Sequence, residues 1–276
     1  IAIQENATAP DPQSIAISYT HLANIYKTIG QMPEAIAAQQ KAIAMQENVT
    51  APDPHSIAIS YTHLSNIYKA TGQMPEAIAA QQKAIAIMEQ AATPDHHSIV
   101  ISYNNLSTIY KATGQLPEAI AAQQKAIAIM EQAAKPDYHN IAISYTHLAT
   151  IYKATGQLPE AIAAQQKAIA MQELVPKINQ YALAKSYSKM ANSYQLIGKS
   201  SKALAYQQKA LDIQEQILPP NHNILAISYS NMASIYRVMG LLPNALSYLQ
   251  KAINIYTQTI DPKHIKMATA YHNIAD

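Results

Sequence analysis

Six glycines constrain this chain more than any other feature: Gly30, Gly72, Gly114, Gly156, Gly198 and Gly240 stand 42 residues apart, and the 276-residue sequence has no others. Three residues after each comes Pro33, Pro75, Pro117, Pro159 or Pro243, with Ser201 the one exception, and alanine follows at 35, 77, 119, 161, 203 and 245. A fixed period of this length describes a supersecondary unit stacked on copies of itself. The expected division is six tandem units, 9–50, 51–92, 93–134, 135–176, 177–218 and 219–260. Residues 1–8 read as the end of a truncated preceding repeat and 261–276 as the first helix of a further, truncated one.

Within one unit, Ile15, Tyr19, Leu22, Ala23, Tyr26 and Ile29 recur at three- and four-residue steps, which is one face of an α-helix, helix A. Gly30 suits a left-handed C-terminal cap and Pro33 the first turn of a second helix. Ala35, Ile36, Gln39, Ala42 and Ile43 continue the same spacing as helix B. A short connection makes the two antiparallel, and the segment Thr8 to Ser14, rich in Pro, Asp and Ser, interrupts the chain before each new pair. Alanine at the Ala35 and Ala42 columns lets helix axes approach closely, and the tyrosines that begin at Tyr19 and Tyr26 fill the space beside them.

An aromatic at Tyr19, followed by Leu22, Ala23, Tyr26, Gly30, Ala35 and Ala42, resembles the tetratricopeptide repeat (TPR) in order and spacing. The 42-residue period is longer than the usual repeat of about 34 residues. With its Pro52-Asp53-x-His55 linker it is most similar to the kinesin light chain-like class. The resemblance implies an all-α fold, a right-handed superhelical solenoid of antiparallel helix pairs, whose helix-A faces line a concave surface. One departure stands out: Gln39, Gln81, Gln123, Gln165 and Gln207 occupy the middle of helix B, where the family usually carries a large apolar residue and only Leu249 conforms. Either these glutamines hydrogen-bond between neighbours or helix B is turned from the family's geometry.

Composition narrows the function. A net charge of +2 gives no footprint for nucleic acid or for an anionic membrane, so neither partner is expected. No uninterrupted apolar run long enough to span a bilayer occurs. The absence of cysteine removes disulfides, thiolate metal sites and cysteine nucleophiles, and fits a cytoplasmic location. Glutamates fall near helix ends, where their charge has a structural use, and no carboxylate pair or phosphate loop stands apart from the period. The chain is therefore expected to be no enzyme and to need no cofactor or metal.

The helix-A stripe opposite the alanine face holds Ile17, Thr20, Asn24 and Lys27. Its repeats form ladders: Thr20, Thr62, Asn104 and Thr146; then Asn24, Asn66, Thr108, Thr150 and Asn192; then Lys27, Lys69, Lys111, Lys153 and, after Gln195, Arg237. Small hydrogen-bonding groups beside cations suit the backbone and acidic side chains of an extended peptide. A lysine in the last helical turn also interacts favourably with the exposed carbonyl end, so both uses stay open. His21, His63, Asn105 and His147 are expected to border the groove. Those histidines lie about a helix-pair width apart, too far for the roughly 2 Å bonds of one shared ion. His55, His97 and His139 are expected to shape the linker or cap helix A.

Units five and six drift, with Lys185, Lys189, Gln195 and Ser201 replacing the repeated residue types. The expected role is a scaffold or adaptor that holds a peptide or flexible protein segment, acidic in character, in the concave groove. Two alternatives stand beside it: a sensory or autoinhibitory module of a larger signalling enzyme or NTPase, and self-association through stacked terminal repeats.

Overall fold

The computed structural model describes residues 11–175 and 177–259, and the expected partial repeats at 1–8 and 261–276 lie outside them. Among the described residues there are twelve helices and no strand. They are α1 (Pro12–Thr28), α2 (Met32–Glu47), α3 (Pro54–Ala70), α4 (Met74–Gln90), α5 (His96–Ala112) and α6 (Leu116–Glu131). The series continues with α7 (Tyr138–Ala154), α8 (Leu158–Glu173), α9 (Gln180–Leu196), α10 (Ser200–Ile217), α11 (Asn223–Val238) and α12 (Leu242–Thr259). Odd-numbered helices are helix A and even-numbered ones helix B, so the fold is all-α, an array of paired antiparallel helices.

Each of the six glycines ends a helix in the left-handed conformation. Gly30 has φ of 83°, a region that only glycine enters without a Cβ penalty. Around it Gln31 N–H donates to the Tyr26 carbonyl at 2.9 Å and Gly30 N–H to the Lys27 carbonyl at 3.3 Å, which together satisfy the open carbonyls of α1. The same closure recurs at Gln73, Gln115, Gln157, Lys199 and Leu241, each donating at 2.9 Å to the tyrosine five residues back.

Helix A is capped by a residue the histidine reading passed over. Asp53 accepts from His55 N–H at 3.1 Å and Ser56 N–H at 3.2 Å, and Asp11, Asp95 and Asp137 do the same for their own helices. His55, His97 and His139 therefore sit inside the first turn and offer backbone donors, because a short carboxylate reaches those orphan N–H groups better than an imidazole. Among the described histidines, only His222 caps a helix, through Nδ1 to Ile224 N–H at 3.2 Å. Asp53→Ala is expected to cost about 1 kcal/mol. The Ser56 hydroxyl, helped by the two backbone donors, holds the Asp53 carboxyl below its ordinary 3.8. Its contribution is thus complete above that value and is lost as the pH falls through the lower folded one. Acid titration of the wild type should show this loss below about pH 4, and the Asp53→Ala variant should show a smaller one, because the caps at Asp11 and Asp95 are lowered in the same way and remain.

The described residues divide into two compact units, with the boundary between Pro136 and Asp137. In the first, Ile15, Ala16, Tyr19 and Ala23 of α1 pack with Ala35, Ala38 and Ala42 of α2, and Ile67 of α3 enters the same cluster from the next repeat. In the second, Ile235 of α11 plays that part against Leu183, Tyr187, Met190 and Tyr194 of α9 and Ala203 and Ala210 of α10. The glutamine column is buried in both units. Gln39 Nε2 donates to the Ser60 carbonyl at 3.2 Å, Gln81 Nε2 to Thr62 Oγ1 at 3.5 Å and Gln123 Nε2 to Asn104 Oδ1 at 2.7 Å. These three glutamines of the first unit reach helix A, which is how a polar side chain occupies the apolar middle of helix B there, whereas the buried Nε2 atoms of Gln165 and Gln207 have no hydrogen-bond partner among the described residues.

Candidate peptide-binding surface

On helix A the residues that follow the buried pair Ile15 and Ala16 turn outward. Ile17, Ile59 and Ile101 in the first unit, and Ile143 and Ile227 in the second, are exposed isoleucines at one register position. One to three turns on lie the polar ladders. Thr20, Thr62, Asn104 and Thr146 are half-buried, as is Asn66, while Asn24, Thr108, Thr150 and Asn192 are exposed. Several threonine protons are already committed: Thr108 Oγ1 donates to the Asn104 carbonyl, Thr146 to Ala142 and Thr150 to Thr146, each at 2.9 Å. Such hydroxyls face outward as acceptors only. Asn104 is different, since its Oδ1 receives Gln123 and its amide hydrogens are left to donate.

Among the described residues the cations of the stripe stand without counter-ions. Lys69, Lys111 and Arg237 are exposed and Lys27 and Lys153 half-buried. Among the described residues the ion pairs are Lys83–Glu47 at 3.2 Å and His55–Asp95 at 3.9 Å, and neither includes a member of this column. Lys153 Nζ instead donates to Asn192 Oδ1 at 2.7 Å, which joins two of the ladder positions across adjacent helix pairs. Burial lowers the Lys153 pKa. His63 is half-buried, with Nδ1 lacking a partner among the described residues, and burial aided by Lys27 lowers its pKa, so it is neutral at pH 7. His21 and His147 are exposed and Asn105 half-buried.

A second lysine column, on helix B, is engaged in quite another way, and sequence reasoning missed it. Lys41, Lys83, Lys125, Lys167, Lys209 and Lys251 each place Nζ over the ring of the helix-A tyrosine in the same pair, 4.5 to 5.5 Å from its centroid. Several of those tyrosines donate to a glutamate of the preceding helix B: Tyr61 to Glu47 at 2.9 Å, Tyr103 to Glu89 at 2.6 Å, Tyr187 to Glu173 at 3.0 Å and Tyr229 to Glu215 at 2.8 Å. Burial and the Glu173 bond push Tyr187 up to about 12, so the phenol keeps its proton throughout the neutral range. The signal available in sequence was a constant 14-residue offset from Glu to Tyr, meaningful only once α2 and α3 are known to lie side by side. These lysines serve packing, and the helix-A lysines are the ones left over.

Among the described residues no group of three or more His, Asp or Glu could hold a metal ion, and no helix is long and apolar enough to cross a membrane. Overlapping matches to the tetratricopeptide repeat family cover residues 14–90, 56–132, 98–174, 140–216, 181–237 and 224–276. The chain belongs to the tetratricopeptide repeat family. No catalytic family is detected in it, and a TPR domain is generally a module for protein–protein interaction. Among curated proteins no sequence matches this TPR chain.

Several solved structures share the fold. A kinesin light chain-like protein of Podosopora anserina with nearly identical TPR-like repeats is 25% identical, with 76% of this chain and 99% of that one covered and a TM-score of 0.63. BtubC from P. vanneervenii is 17% identical, with coverages of 84% and 94% and a TM-score of 0.63. A signal-transduction ATPase with a TPR sensor from Pyrococcus horikoshii is 19% identical over 94% of this chain but 38% of its own length, with a TM-score of 0.69.

Proposed function

We propose that this TPR array is a non-catalytic adaptor that holds an extended, acidic protein segment along the outward stripe of its A helices. The observation that carries the reading is the contrast between its two lysine columns: the helix-B lysines sit on tyrosine rings, whereas among the described residues Lys27, Lys69, Lys111 and Arg237 form no ion pair with a carboxylate. Ligand carboxylates would receive charge-assisted hydrogen bonds from them. The exposed isoleucines Ile17, Ile59 and Ile101 would take apolar side chains, and Asn24, Asn66 and Asn104 the peptide backbone. In the first unit His21, His63 and Asn105 would flank a bound segment, and in the second His147 would do so.

Fluorescence anisotropy with a short Glu-rich peptide containing interspersed leucines tests this. Lys69→Glu combined with Lys111→Glu, both in the first unit, should weaken binding at least about 100-fold, since each lost charge-assisted bond is worth about 1.5–3 kcal/mol. Helicity by circular dichroism should not change, because both side chains are exposed on the surface. Unaltered affinity in the double variant would place the binding face elsewhere.

A further inference from the structure

The fifth helix pair breaks the period where the surface chemistry matters most. Lys185 stands where the other A helices have Ile17, Ile59, Ile101, Ile143 or Ile227, and Lys189 where they have His21, His63, Asn105, His147 or Asn231. The column lysine is meanwhile replaced by Gln195. Lys185 and Lys189 are four residues apart on α9 and so share one face, and Asn192 continues that face three residues on. Lys153 reaches over from α7 to bond Asn192 Oδ1 at 2.7 Å.

Three ammonium groups therefore converge within the second unit. Their proximity is felt electrostatically: burial first, then the charges of Lys185 and Lys153, lowers the pKa of the half-buried Lys189. Among the described residues no carboxylate pairs with any of the three. The neighbouring Ser188 hydroxyl is buried with no hydrogen-bond partner there, and Asn192, with its Oδ1 occupied, has amide hydrogens to offer. A site with this much unbalanced positive charge releases free energy on taking up an anion, and more so for a dianion. A carboxylate brings one charge and two acceptor oxygens; a phosphomonoester brings about −1.5 to −2 at pH 7 and three.

We propose that Lys153, Lys185, Lys189 and Asn192 form a seat for a phosphate dianion carried on a side chain of the bound protein segment. The seat rests on the reading that the helix-A stripe binds a protein segment, and it gives the stripe of the second unit a phosphate-selective point of its own. Lys153 and Asn192 hold each other in register across the two A helices, while Lys185 and Lys189 close on the anion from one side. Lysine suits the task as a mobile point charge with three donors.

The full chain should be titrated with three labelled alanine-based peptides that differ at one position, phosphoserine, aspartate or serine, and with inorganic phosphate as competitor. The phosphoserine peptide is expected to bind at least about tenfold more tightly than the aspartate peptide, with affinity falling below about pH 6 as the phosphate gains its second proton. Lys185→Gln with Lys189→Gln should bring the two peptides to equal affinity. Lys189→Arg, which keeps the charge, should retain the preference, as should Lys135→Gln, an exposed lysine of the first unit. Thermal melts of each variant guard against loss through unfolding. Equal binding of phosphoserine and aspartate peptides by the wild type, or a preference that survives Lys185→Gln/Lys189→Gln, would overturn the proposal. Inorganic phosphate competing as strongly as the phosphopeptide would overturn its side-chain origin. The Glu-rich peptide and the Lys69→Glu/Lys111→Glu variant report on the first unit, so failure there is distinguishable from failure here.

Discussion

Ile67→Ala is expected to destabilise the first unit by about 2–5 kcal/mol, whereas the same change at Ile25 should cost less than about 0.5 kcal/mol. The two isoleucines occupy one register position, yet Ile67 is 2% exposed and Ile25 is 58% exposed. Register alone does not set the cost; the neighbour does. Ile67 leaves α3 and lodges among Tyr19, Ala23, Ala35, Ala38 and Ala42 of the preceding helix pair. Truncating it opens a cavity that rigid helices fill only in part, so the lost transfer energy and the void add together. Urea denaturation gives the total, and amide exchange should locate the weakening in α1 to α3. Similar losses at both positions would mean that stacking of neighbours contributes little.

Ala42→Leu should cost about 1–3 kcal/mol, the second large effect, and Ala37→Leu should be nearly neutral. Ala42 is fully buried in α2 beside Ile67 and Tyr19, and Ala37 on the same helix faces solvent. Leucine and alanine have similar helix propensity, so the difference reads packing and not helix formation. A close approach of helix axes tolerates no added methylenes without off-rotamer side chains or a backbone shift. The check is the denaturation midpoint of the two variants beside the wild type.

Much of this was legible in the sequence because a repeat prints each structural requirement several times. The Gly30 column announced the helix end, and the structure gives it a positive φ with the capping bonds of Gln31 and its counterparts. The small columns of helix B and much of the buried face of helix A, Ile15, Tyr19 and Ala23, followed from spacing, as did the outward position of Ile17 and its equivalents, whereas Ile29, expected on that face, is exposed and the buried Ile67 column was not foreseen. What stayed hidden were pairings that depend on how two helices abut. Whether Gln123 meets Asn104, whether Tyr103 meets Glu89 and whether Lys153 meets Asn192 are each decided by ångström-scale offsets between helices, and periodicity carries no such offset. The helix-A caps were hidden for a different reason. Both Asp53 and His55 were visible, but only the backbone course decides which side chain reaches the free N–H groups.

The hydrogen bonds that close α1 and its counterparts have a consequence for how such a chain changes length. Among the described residues, backbone-to-backbone bonds outside the helices link amides no more than five positions apart. Successive pairs are joined instead by side chains, such as Gln82 reaching the Tyr110 hydroxyl at 2.8 Å. Adding or deleting one whole module therefore tears no main-chain ladder and bares no row of donors, as it would at the rim of a sheet. An architecture of this kind can acquire a new copy by gene duplication and remain foldable at once, and one copy, such as the lysine-bearing fifth, is free afterwards to change its outer face while its buried positions stay apolar, as Leu183, Met190 and Leu211 do.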